Sequence, residues 1–156
     1  MNVMSVWLLI LIAAGIMPGA QRECTLEPTE GTRRATLATN VTAKMTWSAC
    51  TSIVKEIIFE WPREQGVPAT SRAALERAAA LVRQWERVTG LVVGPFGPFG
   101  ELSKVLESRA AQPAAYEFSD NIPVTDNGVA GWDGVWVTFS SATPRPRLTV
   151  HYWASP

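Results

Sequence analysis

The chain has 156 residues, with 14 Lys and Arg balanced by 14 Asp and Glu, a single histidine and two cysteines. That is enough length for one domain with a real hydrophobic core. Without a cationic surplus to displace phosphate counterions, a nucleic-acid role is disfavoured, and one imidazole rules against His-rich metal centres.

In chain order, the first feature is the apolar run Val6 to Ala14, followed by Gly15, Pro18 and the small residues Gly19 and Ala20. The run is shorter than the ~20 apolar residues that span a bilayer, and it reads as a secretory signal peptide over residues 1–20. Because no Lys or Arg precedes the run, an uncleaved anchor is the alternative. The expectation is a single domain over residues 21–156, periplasmic or secreted, with no membrane span once the leader is removed. In an oxidising compartment Cys24 and Cys50 are expected to form a disulfide, closing a loop worth roughly 3 kcal/mol by chain entropy.

Gln21 to Arg34 is polar, contains Pro28 and Gly31, and has no periodicity, so it is expected to be extended or looped. From Leu37 to Trp47 apolar and polar residues alternate, which predicts a half-buried strand. Ile53, Val54, Ile57, Ile58 and Trp61 fall on one helical stripe, opposite Lys55, Glu56 and Glu60. The same segment is rich in β-branched residues, but a strand would bury Lys55, so a helix from about Ala49 to Glu60, stopped by Pro62, is expected.

Ser71 to Thr89 is the clearest helix. It can be capped by Thr70 or Ser71 and ended by Gly90, with Leu75, Ala78, Ala79, Val82, Trp85 and Val88 on its apolar side. A shorter helix is expected from Glu101 to Ala110, with Leu102, Val105 and Leu106 buried. Strands follow near Ala115 to Phe118, Ile122 to Thr125, Gly134 to Ser140 and Arg147 to Trp153, with turn signals at Asn127-Gly128 and Asp133-Gly134. The sum is an α+β fold, about three helices packed on one face of an antiparallel sheet of four to five strands.

No zinc-protease, nucleophile-elbow or phosphate-loop spacing occurs, which argues against an enzyme. No metal or other cofactor is expected. Two features can instead make contacts. In Gly94-Pro95-Phe96-Gly97-Pro98-Phe99-Gly100, the phenylalanines Phe96 and Phe99 either tuck onto the core or form an exposed anchor for a partner. In the final hairpin, alternation places Val135, Val137 and Phe139 with Leu148, Val150 and Tyr152 on one face. It leaves Trp136, Thr138, Thr149, His151 and Trp153 on the other, with Trp132 at the neighbouring turn. If the helices cover only the first face, the second is an aromatic platform for a protein or glycan partner.

Asn40-Val41-Thr42 matches a glycosylation sequon, of weak significance in mid-strand. The expected function is a small exported, disulfide-stapled binding protein, such as an inhibitor or immunity-type protein acting on another macromolecule. Two alternatives remain. One is a secreted hydrolase using Glu117, Asp120, Asp126 or Asp133, with or without His151. The other is a structural subunit of an envelope or secretion assembly.

Overall fold

The computed structural model describes residues 29–50, 53–91, 102–112, 121–124, 134–141 and 144–154. Its six strands are β1 (Thr29–Thr36), β2 (Thr42–Ala49), β3 (Ile53–Glu60), β4 (Asn121–Pro123), β5 (Gly134–Ser140) and β6 (Arg147–Ala154). Two α-helices, α1 (Ser71–Thr89) and α2 (Leu102–Ala110), lie between β3 and β4 in sequence. The strands form one antiparallel sheet in the order β1-β2-β3-β6-β5-β4. Two three-stranded meanders therefore run from opposite edges inward, and their inner strands β3 and β6 meet at the centre.

The α+β class and the single antiparallel sheet match the sequence reading, but the counts differ: two α-helices and six strands among the described residues. The main correction is the segment expected as a helix from Ala49 to Glu60, which is β3. Helical and strand periodicities both bury Ile57, so the stripe could not discriminate. Pairing on both sides, with β2 and with β6, decides in favour of the strand and leaves Ile57 and Phe59 fully buried. Lys55 does face inward, but near the end of the sheet, opposite Trp47 and Tyr152. A long aliphatic stem tolerates such a half-buried position. Burial there lowers its pKa from the ordinary 10.5.

A second difference concerns Gln21 to Arg34, expected to be extended or looped: its described part, from Thr29, is extended, and together with Ala35 and Thr36 it forms edge strand β1, paired along all of β2. Its alternation carries Gly31, Arg33 and Ala35 on one face and Thr32, Arg34 and Thr36 on the other, which gives no hydrophobic signal. The third concerns the strand expected to be continuous from Leu37. It is interrupted by one 3-10 turn at Ala38–Asn40, where Thr39 and Asn40 have φ of 61° and 60°. The flanking Leu37 and Val41 are both buried, and Leu37 N–H donates to the Val41 carbonyl at 2.8 Å. Asn40 is thus exposed in a turn, not in mid-strand.

Helix α1 forms as its sequence dictates. The Thr70 hydroxyl accepts the Ala73 N–H at 3.1 Å, and Gly90 closes the helix at φ 68°. Ala74, Leu75, Ala78, Ala79, Leu81, Val82 and Trp85 are buried, whereas Val88, expected in the stripe, is 56% exposed. Leu102, Leu106 and Ala110 of α2 join the same core, and Arg83 of α1 pairs with Glu107 of α2. Against these helices lie Ala43 and Met45 of β2, Ile57 and Phe59 of β3, Ile122, Val135, Val137 and Phe139, and Leu148, Val150 and Tyr152. The hairpin partners Val135–Tyr152, Val137–Val150 and Phe139–Leu148 pair as expected.

Trp61 anchors one end of this core. Its Nε1 donates to the Gly66 carbonyl at 2.9 Å, its ring stacks on Phe139 at 6.2 Å, and the Arg77 guanidinium lies 4.5 Å above it. Arg77 also donates to the carbonyls of Gly66 and Gln65, each at 2.8 Å.

Candidate functional site on the outer sheet face

Period-two alternation turns one set of side chains from each strand toward the helices, so the other set, mostly polar or aromatic but including Val54 and Ile58 of β3, assembles on the opposite face. Among the described residues no helix or strand packs there. Register arranges it in rows running across the strands. One row joins Thr32, Thr46, Glu56, His151, Trp136 and Pro123. The next joins Arg34, Lys44, Ile58, Thr149, Thr138 and Asn121.

His151 is the hub of this face. Its ring stacks on Trp136 with centroids 4.9 Å apart and planes 7° from parallel. Nδ1 lies 3.1 Å from Glu56 Oε1 and Nε2 lies 3.0 Å from Thr138 Oγ1. One tautomer of the neutral ring satisfies both bonds: Nδ1–H donates to the carboxylate and Nε2 accepts the threonine hydroxyl. Only 16% of the His151 side chain is exposed, against 42% for Glu56. Trp153 lies on the same face, opposite Val54 and Gly134.

Hydroxyl, imidazole and carboxylate thus form a relay that could move a proton from Thr138 toward His151, with Glu56 holding the ring. Acyl transfer also requires donors aimed at the developing oxyanion. Thr138 sits between β4 and β6, so the backbone around it is engaged in the sheet ladder on both sides. The arrangement is better suited to holding a rigid surface than to stabilising a tetrahedral intermediate. Among the described residues no cluster of His, Cys, Asp and Glu could hold a metal ion.

At the β1–β2 end of the face lies a cleft of about 700 Å³, lined by Arg34, Thr36, Thr42, Lys44, Ile58, Glu60 and Arg147, together with Ala35 and Ala43. Arg147 donates to Glu60 Oε1 through Nε at 2.8 Å and through Nη2 at 2.6 Å.

Of the residues singled out from sequence, the structure brings Trp136, His151 and Trp153 together. Phe96, Phe99, Trp132 and Cys24 lie outside the described residues, as do Glu117, Asp120, Asp126 and Asp133. Cys50 directly follows β2. Sequence reasoning missed Glu56, because the helix reading placed it on a solvated face. Read as a strand, Glu56 alternates away from Ile57 and can face His151. Arg34 was missed because its segment, read as extended or looped, was given no pairing partner, and Lys44 because it was the one charged residue among the outward residues of its strand.

No known protein family, no curated protein and no solved structure matches the chain. Fold and site together define an α+β protein with helices on one face of an antiparallel sheet and a polar, aromatic surface on the other. No helix among the described residues is long and apolar enough to cross a membrane.

Proposed function

We propose that this is an exported binding protein that contacts another macromolecule through the outer face of its sheet, in the manner of an inhibitor or immunity-type protein. The observation that carries the reading is the Trp136–His151 stack, pinned by Glu56 and Thr138 on the face away from the helices. Aromatic side chains held rigid before contact lose little entropy on binding, and they supply a large share of interface energy.

Export rests on the leader at residues 1–20, and a bridge between Cys24 and Cys50 fits it. The register sets Thr29 opposite Ala49, so the chain enters β1 beside Cys50. The test is site-specific photo-cross-linking in the envelope of the source organism, with the probe at Ile58 on the outer face or at Arg83 on the helix side. The reading expects a discrete adduct from Ile58 alone, lost in Trp136→Ala. Equal adducts from both positions, or none from Ile58, refute it.

One observation favours a second reading, a hydrolase: the Thr138–His151–Glu56 relay. In that mechanism Thr138 Oγ1 attacks an ester carbonyl carbon, His151 Nε2 takes its proton and later returns it to the leaving alcohol, and water releases the acyl group. Hydrolysis of a p-nitrophenyl ester that is abolished in Thr138→Val, with folding intact, would establish this reading over the first.

A further inference from the structure

Arg34 of β1 and Lys44 of β2 are directly opposed on the outer face. Like charges in that position destabilise a sheet. Among the described residues neither has an acidic partner, and the one carboxylate lining the cleft, Glu60, is held by Arg147. Two cations are therefore left unbalanced beside the hydroxyl-bearing Thr36 and Thr42 and the apolar side chain of Ile58.

We infer that this cleft seats a dianionic phosphate, carried as a phosphomonoester or free in solution. Arginine supplies a planar fork and lysine a point charge, the two complementary ways of holding phosphate oxygens. Two unbalanced cations match a dianion better than a carboxylate or a sulfate ester, each of which carries a single charge. The volume of about 700 Å³ exceeds what a lone phosphate needs and leaves space for the group that bears it. The site goes beyond the aromatic contact surface and stands whether or not that surface binds a partner.

The experiment is amide-resolved NMR titration of the folded chain with phenyl phosphate, inorganic phosphate and phenyl sulfate. Saturable shifts at residues 34–36, 42–44 and 58 are expected with both phosphates. Tighter binding of phenyl phosphate identifies the ester as the ligand, and equal binding identifies the free ion. Phenyl sulfate should bind about tenfold more weakly. Arg34→Gln and Lys44→Gln should each weaken phosphate binding about tenfold, equivalent to ~1.4 kcal/mol.

Because the two cations repel, Lys44→Gln should unfold at the same temperature as the parent or higher, which separates loss of the site from loss of the fold. Binding of phenyl phosphate should fall as pH drops through about 6, where its second proton returns. Protonation of Glu60 in the cleft, or of His151 beyond Ile58 and Thr149, would act in the opposite direction, so the sign is diagnostic. Absence of saturable shifts, equal affinity for phenyl sulfate, or full binding in both variants would overturn the inference.

Discussion

Replacing Gly31 with alanine probes the strand that the sequence concealed. Gly31 lies opposite Trp47 on the helix-facing side of the sheet, and a Cβ built on it would meet the indole at 2.5 Å from Cε2 and 2.7 Å from Cη2, with Cζ2 nearer still. Ordinary contact requires the ring to retreat by about 1 Å, and overpacking of this kind costs roughly 1–3 kcal/mol. Alanine restricts the unfolded chain and recovers about half a kcal/mol of that. The expected net loss is ~1–2 kcal/mol, a fall in melting temperature of roughly 3–8 °C for a domain of this size.

Urea and thermal unfolding followed by circular dichroism measure this directly. Trp47→Leu removes the ring atoms, so Gly31→Ala should cost almost nothing in that background, giving a coupling of about 1 kcal/mol or more in the double-mutant cycle. A neutral or stabilising Gly31→Ala in the parent protein would refute the pairing of Gly31 with Trp47, and with it the placement of Arg34 beside Lys44.

Three further outcomes are expected. Lys55→Met should be more stable than the parent at neutral pH, since burial disfavours the ammonium. The folded-state pKa is depressed, so the unfolded chain binds the proton more tightly and parental stability rises with pH up to about 10.5. The advantage of Lys55→Met should therefore shrink as pH rises toward 10.5, and a constant difference in urea unfolding would contradict this. Thr70→Ala removes the bond to the Ala73 N–H and should cost about 1 kcal/mol, read by urea unfolding. Iodide should quench part of the tryptophan fluorescence, and Trp136→Phe should reduce the quenchable share. Trp61 and Trp85, 1% and 0% exposed, should stay protected.

The parts of the fold that could be read from sequence are those where local chemistry and tertiary packing agree. Thr70, the stripe through Trp85 and Gly90 specify α1 without help from neighbours, and alternation in Gly134–Ser140 and Arg147–Ala154 assigned both faces of the last hairpin. Tertiary pairing overrode local pattern elsewhere. Ile53–Glu60 has a helical stripe and β-branched residues at once, and only its two neighbouring strands settle the matter. Thr29–Thr36 shows no apolar alternation because an edge strand carrying Arg33 inward and Arg34 outward has little to bury. Reading Ile53–Glu60 as a helix and leaving Thr29–Thr36 without a pairing partner hid Glu56 and Arg34, while the shared face of Trp136, His151 and Trp153 was legible because their own strands were assigned correctly.

The central claim, that the outer sheet face is occupied by a partner in the protein's native setting, is tested most directly by hydroxyl-radical footprinting of the protein purified and in its native envelope. Trp136 and His151 should be oxidised in the purified protein and protected in the envelope, with Trp85 unreactive in both. Equal oxidation of Trp136 and His151 in the two settings would contradict the account.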